Sequence, residues 1–243
     1  MRLNLSKYMD LDEVKRLYRA DIPTPVDVLN LIHFKDREAY RWYGLMVVPT
    51  LKAVGGQIGW FGDHVASFVG EPQAEDLGVV RYPNQRRFFA LVMNPYYITV
   101  ANPRRLKAVR RFNASFTHSP SSLDALRRSR WVLAVHHRAG EAAVPALDKL
   151  FGGVGGKVVY HSEETSPIVV AKKYHPANTN PLVYPSTLLV EFPSQSATEN
   201  GMGAGFVNQL KEIAGDDISV QLYERQRRED AIPTPLRGLV RGR

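Results

Sequence analysis

The chain carries its own plan twice. AVGGQIGW at 53–60 returns as GVGGKVVY at 153–160, and VVRYPNQ at 79–85 returns as LVEFPSQ at 189–195. Within the second pair, Val80 matches Val190, Tyr82 matches Phe192, Pro83 matches Pro193 and Gln85 matches Gln195. Such self-similarity marks a duplicated unit. Between the two pairs the spacing grows by ten residues. The extra length falls in a long connection of the second half, where insertions are tolerated. The proline joints read as structure rather than chemistry. Pro83 and Pro193 each stop a strand and turn the chain into a helix.

The order of elements within each copy follows from local pattern. In the first half, VDVLNLIHF (26–34) reads as a buried strand. Asp36 is placed to cap a helix in which Tyr40, Tyr43, Val47 and Leu51 fall at helical spacing. Pro49 is expected to kink that helix or mark a tight turn in it, and Gly55-Gly56 ends it. QIGWFGDHVASFVG reads as a strand bent at Gly59 or Gly62, and LGVVRY as the next strand. NQRRFFALVM is a helix. NPYYITVANPRRLKAVRR follows as an irregular stretch with a basic helical turn, and FNASFTH is the last strand. The second half repeats this with RWVLAVHHR, GEAAVPALDKLF, KVVYHSEE, STLLVEF, a helix opened by Ser194 or Ser196 and running through GFVNQLKEIA, and DISVQLYER.

Each copy is therefore β-α-β-β-α-β, the ferredoxin-like split motif. Its two helices cover one sheet face and leave the other bare, and a bare apolar face must be covered. The expected fold class is α+β, with two tandem ferredoxin-like units packed sheet to sheet as an intrachain pseudo-dimeric α+β barrel. The expected organisation is an N-terminal extension with a short helix over 1–25 and a first unit over 26–119. A linker over 120–129, a second unit over 130–226 and a basic tail over 227–243 follow. Asp10 is placed to cap the helix of the extension. IPTP occurs at 22–25 and at 232–235, each read as an extended polyproline-like segment.

Composition sets limits on function. The chain of 243 residues has no cysteine, so disulfides and thiolate ligands are excluded. Its charged N-terminus has no apolar signal-peptide core, and no apolar run reaches the ~20 residues of a membrane span. These features point to a cytoplasmic protein without membrane contact. Net charge is +8, and residues 81–130 hold eleven Lys/Arg against one acid, Asp124. The densest cluster is Arg104, Arg105, Lys107, Arg110 and Arg111. It reads as an anion site or as a solvated basic face. No aromatic platform is interleaved with it, which argues against nucleic acid.

The first unit resembles the uncharacterised family known as domain of unknown function 1330, in the dimeric α+β barrel superfamily. The resemblance rests on LNLIHFKD, AYRWYG, PTLKAVGGQIGW, VRYPNQRRFFALVMNPYY and the NP-RR-LKAV segment, within about residues 28–118. The second unit matches in outline only and lacks the paired tyrosines and NPYY. The resemblance implies the barrel fold and, if one unit has kept a site, the first. It implies no reaction, since the superfamily holds monooxygenases, haem enzymes, isomerases and non-catalytic binders.

Candidate ligand-binding residues are Asn30, His33, Trp60, Arg81, Tyr96 and Tyr97; no catalytic residue is singled out. Asn30 is polar within an apolar strand and shares a face with Val28, Ile32 and Phe34. His33 and His136 fall at the same place in the two copies, and no ligand spacing supports a metal. His136 and His137, as strand neighbours, point to opposite faces. Asp63 and His64 follow Trp60 and Phe61 on the bent strand. Tyr40 and Tyr43 read as packed helix-face residues. Arg81 and Glu191 are equivalent and opposite in charge, which suggests an ion pair between units. The glycine clusters GGVGG and GMGAG lack the Lys-Ser/Thr of a phosphate loop. Two readings stand. One is a small-molecule binder or enzyme, monooxygenase- or isomerase-like, with its pocket in the first unit and no cofactor implied. The other is a non-catalytic tandem interaction module, or anion or nucleic-acid binding through the basic 81–130 region. A further homodimer is compatible with both. A hollow barrel lined by Asn30 and aromatics would favour the first, and a barrel filled by Leu, Val and Phe the second.

Overall fold

The computed structural model describes residues 10–168, 179–180 and 182–239. The basic end of the tail at 240–243 and residues 169–178 of the long connection lie outside the described residues. Helix α1 (Leu11–Arg19) is capped by Asp10, whose carboxylate accepts from the Asp12 and Glu13 amides. It buries Val14 and Leu17. The first unit then runs β1 (Val26–Phe34), α2 (Arg37–Ala53), β2 (Gln57–Val69), β3 (Asp76–Tyr82), α3 (Gln85–Val92), α4 (Asn102–Ala108) and β4 (Val109–His118). After α5 (Leu123–Arg128), the second unit runs β5 (Trp131–His137), α6 (Val144–Gly152), β6 (Lys157–Pro167), the short β7 (Thr179–Asn180), β8 (Ser186–Phe192), α7 (Gln195–Gly201), α8 (Ala204–Ala214) and β9 (Ser219–Arg225).

Strand order is β4-β1-β3-β2 in the first unit and β9-β5-β8-β6 in the second. The edges then pair antiparallel, β2 with β9 and β4 with β6. Eight strands thus form a closed ring and leave no free edge among them, which removes the usual aggregation hazard. β7 lies parallel to β4 at Phe112 and Asn113, beside the part that β6 does not reach. The two units form one α+β barrel, a pseudo-dimer within a single chain. In β2 the register shifts at Gly59 and in β6 at Val159, so the copies share this bulge.

Alternation along the strands separates an inner from an outer layer. Leu29, Leu31, Leu77, Val79, Trp60, Val132, Ala134, Tyr160, Leu189 and Tyr223 form one buried cluster inside the ring. The barrel interior is filled. The segment between the units contributes to it: α5, expected as a linker, sends Leu123 and Leu126 into the same cluster. The outer faces carry the helices. Phe151, Phe192, Phe206, Leu147 and Leu210 pack the outer layer of the second unit.

The joints do what their repetition implied. After Pro83, Asn84 caps α3 by accepting from the Arg87 amide, and after Pro193, Ser194 caps α7 by accepting from the Ala197 amide. Other expectations are corrected. Helix α2 continues from Arg37 to Ala53 with Pro49 inside it, so Pro49 marks no tight turn. The helix opened by Ser194 stops at Gly201, and α8 restarts after Gly203, whose extended backbone (φ −63°, ψ 163°) breaks the run. The segment after Tyr96 is one turn of π-helix, Tyr97–Ala101, leading into α4. In the second IPTP, Thr234 starts a 3₁₀ helix, Thr234–Leu239, so that copy is not extended throughout. Register also separates His33 from His136. Leu31 lies opposite Leu77, and His136 lies opposite Thr187, the counterpart of Leu77 in the repeat. His136 and Leu31 are therefore the equivalent pair. Among the described residues no helix is long and apolar enough to cross a membrane.

Candidate functional site

A cavity of about 560 Å³ lies not inside the barrel but on its outer side, between the sheet of the first unit and its helices. Its floor is the helix-facing row of the sheet, with Val28 and Asn30 from β1, Val80 and Tyr82 from β3, and Phe112 and Ala114 from β4. Its roof is α2, with Tyr40, Tyr43 and Val47, joined by Tyr97 and Arg105. The residues that follow β9 close one side through Gln226, Asp230, Ala231 and Ile232. The segment that follows the second unit thereby closes a cavity on the first.

The walls are mainly apolar and aromatic. Phe34, Tyr40, Tyr43 and Tyr97 form a chain of ring contacts with centroids 5.0, 5.3 and 6.4 Å apart. Burial pushes the Tyr40 and Tyr43 phenols up, away from ionisation. Asn30 donates its side-chain amide to the Val28 and Gly78 carbonyls at 2.9 and 3.3 Å. Its NH2 is thus spent on the backbone of its own sheet.

At one end of the cavity stands a carboxylate pair. Asp63 and Asp76 are direct cross-strand partners on β2 and β3. Like charges directly opposite are destabilising, and this pair is held by donors on both sides. Arg37 donates to Asp63 at 2.8 Å and to Asp76 at 2.7 Å. The Gln226 amide donates to Asp63 at 2.7 Å and to Asp76 at 2.6 Å. Asp76 is only 2 % exposed, against 34 % for Asp63. Burial and the neighbouring Asp63 push the Asp76 carboxyl up to about 8, against the pull of Arg37. Burial and Asp63 thus favour the protonated form of Asp76.

The sequence-derived candidates divide. Asn30 and Tyr97 both line the cavity. Tyr96 is exposed on the other side of its turn. Trp60 points into the filled barrel, where its indole N–H donates to the Ser129 carbonyl at 3.0 Å. His33 lies 3.0 Å from the Gln73 carbonyl oxygen, away from the cavity, and burial lowers its pKa. Arg81 makes a two-pronged bond to Asp27, at 2.7 and 2.8 Å, in place of the expected pair with Glu191. Asp27 is fully buried and also accepts from the Tyr160 hydroxyl at 2.9 Å. The ion pair thus does reach the second unit, through a tyrosine rather than a glutamate. His136 and His137 do face opposite ways. His136 bonds Thr187 at 2.9 Å, while both ring nitrogens of His137 find no partner among the described residues.

Asp76, Arg37 and Gln226 escaped sequence reading, although a signal for Asp76 existed. Alternation through DLGVVRY puts Asp76 on the face of Val80 and Tyr82, which is the face of Asn30. Gln226 carried no signal, because its role depends on the barrel closing. In the repeat, Glu163 and Ser186 are the cross-strand counterparts of Asp63 and Asp76. Ser186 donates to Glu163 at 2.5 Å, and Glu163 also meets His161 at 2.8 Å. The carboxylate pair belongs to the first unit alone. Among the described residues no group of three or more His, Cys, Asp or Glu side chains is arranged to hold a metal ion.

No family model matches the sequence, so the likeness of residues 28–118 to domain of unknown function 1330 assigns the chain to no family. No curated protein matches it either. Several solved structures align with it. A protein of unknown function from Rhodopseudomonas palustris is 25% identical, with 43% of this chain and 89% of that chain covered at a TM-score of 0.39. An anthrone oxidase-like protein is 12% identical over 84% and 92%, with a TM-score of 0.49. A mutant chlorite dismutase from Candidatus Nitrospira defluvii is 8% identical over 89% and 97%, with a TM-score of 0.47.

Proposed function

We propose that the outer cavity of the first unit binds a small, largely apolar organic molecule and exchanges a proton with it through Asp76. The carrying observation is a carboxyl group, held protonated by burial and by Asp63, in the wall of a cavity of about 560 Å³. That volume is within the range of ligand sites, and an apolar lining with a few convergent polar groups is their usual character. A protonated acid at neutral pH is what donation to a carbonyl oxygen requires, and its conjugate base can then take a proton from the adjacent carbon. The two steps together convert a ketone to its enol. Atoms balance without a co-reactant, so an isomerase-like reaction is the simplest reading. Monooxygenase-like chemistry would begin from the same enol and would need dioxygen as oxidant.

The filled barrel and the exposed Arg104, Lys107, Arg110 and Arg111 are the features that fit an interaction module instead. They leave the cavity and its carboxyl pair without a role, and for that reason the small-molecule reading is preferred. Exchange of α-protons tests it. A cyclic aryl ketone such as 2-tetralone, incubated with the protein in D2O, is expected to take up deuterium faster than in buffer. Asp76→Asn should reduce the enzymatic rate by ~10²-fold or more, the usual contribution of a positioned acid–base group. Thermal shift with the same ketone reads binding separately. No shift and no exchange across a panel of such ketones would contradict the proposal.

A further inference from the structure

One cation in the cavity wall is unspent. Arg37 is fully engaged by Asp63 and Asp76, and Arg41 by Glu38 and the Asp230 carbonyl. Arg105 differs. Its Nε donates to Asn102 at 3.0 Å, and its guanidinium carbon sits 5.1 Å from the centre of the Phe112 ring. Its Nη1 is buried and finds no partner among the described residues. No ion pair of Arg105 occurs among the described residues either. The basic cluster singled out in the sequence therefore splits. Arg104, Lys107, Arg110 and Arg111 are exposed, while Arg105 turns under α4 and lines the cavity beside Tyr40 and Tyr43. Its charge is felt at both phenols.

A buried guanidinium N–H without an acceptor is costly, and an anionic oxygen is the acceptor it suits best. The other charged groups of the wall are paired with one another, as Arg37 is with Asp63 and Asp76, and most of the remaining lining is aromatic and aliphatic, so the group bearing that oxygen is best attached to an apolar body. We infer that Arg105 is an anion anchor within the cavity, and that the ligand is a small apolar carboxylate whose carboxylate accepts from Arg105 while its body lies against the aromatic wall. This rests on the outer cavity being the ligand site and narrows what that site takes. It also gives the site two polar groups of different chemistry: Arg105 to hold an anion, and Asp76 to serve a neutral carbonyl.

Matched acids and amides test the anchor at pH 7. The probes are benzoate, 2-naphthoate and decanoate, each beside its own primary amide, with affinity read by calorimetry on the full chain. For at least one pair the acid is expected to bind about ten-fold or more tighter than the amide, the worth of one charge-assisted hydrogen bond. Arg105→Met should abolish that preference and leave amide binding within about two-fold, since the side-chain volume is nearly kept. Arg104→Met, one residue away and exposed, should leave the preference intact. Should Arg105→Met fail to fold, the acid–amide ratio of the wild type still decides. Amides binding as well as acids would overturn the anchor and leave the cavity reading standing. Equal losses in the two variants would overturn it in favour of general surface charge. Failure of all six probes to bind would overturn both.

Discussion

Asp63 and Asp76 face each other across β2 and β3, and each is hydrogen-bonded to both Arg37 and Gln226. Arg37 comes from the start of α2 and Gln226 from just beyond β9, so the pair is clamped by both halves of the chain. The geometry has a consequence for stability. The folded chain holds the Asp76 proton up to about pH 8, whereas an unperturbed carboxyl releases it near 3.8. Between those values the unfolded state binds fewer protons than the folded state, so stability falls as pH rises through that window. Asp76→Asn, which cannot ionise, should flatten this dependence. Urea denaturation at pH 4.5, 6 and 7.5 measures it. A wild-type pH dependence that matches that of Asp76→Asn over this interval would show that Asp76 is ionised in the fold throughout it.

The bond from Arg81 to Asp27 is a buried two-pronged ion pair within the inner layer. Asp27 is fully buried, so Arg81→Met leaves a charge without its counter-ion, at an expected cost of about 3–5 kcal/mol. Tyr160→Phe removes one neutral donor and should cost only about 0.5–1.5 kcal/mol, or somewhat more because the acceptor is charged. Asp27→Asn in the Arg81→Met background should recover part of the loss. Chemical denaturation of the three variants checks the order, and equal costs for Arg81→Met and Tyr160→Phe would deny the ion pair its role.

Trp60 fills the barrel and does not touch the proposed site. Trp60→Phe should therefore lower stability by roughly 1–3 kcal/mol and leave ligand affinity unchanged. Gly62→Ala attacks the same packing from the other side, since a Cβ there would lie 2.1 Å from the Trp60 ring. It should cost roughly 1–3 kcal/mol by overpacking. A ligand affinity that fell with Trp60→Phe would move the site into the barrel.

The C-terminal segment is fastened over the cavity by Glu38. The Thr234 amide and hydroxyl donate to its two carboxylate oxygens at 2.7 and 2.9 Å, while Arg41 holds the Asp230 carbonyl at 2.7 Å. Glu38→Ala should free the segment and let protease cut between Arg227 and Arg237 several times faster, with the global unfolding midpoint nearly unchanged. Unchanged cleavage would mean that Glu38 is not needed to hold the segment.

Much of the architecture was legible because it rests on local rules written twice. Asp36, Asn84 and Ser194 cap the helices they precede, and the bulges at Gly59 and Val159 fall one hundred residues apart. A bare sheet face in each unit required a partner, and the ring of eight strands supplies it. The site was less legible, for a physical reason. A hollow or a filled barrel does not decide the matter, because the filled interior and the cavity coexist, on opposite faces of the same strands. Asn30 was correctly placed on the face of Val28 and Ile32, but that face looks to the helices. Equivalence in the repeat pairs Arg81 with Glu191, but the cross-strand neighbour Asp27 takes its guanidinium. Gln226 and Arg105 act only through contacts between segments distant in the chain, which no local pattern encodes.

Protonation of Asp76 is the point on which the proposed chemistry turns, and carboxyl carbon NMR of aspartate-labelled protein observes it directly. Across pH 3 to 10, one carboxyl signal of the wild type should titrate near 8, far above the other aspartates, and it should vanish in Asp76→Asn. If every aspartate of the wild type titrates below about 5, the ordinary range for this group, Asp76 is ionised at neutral pH and the proton donor proposed for the cavity does not exist.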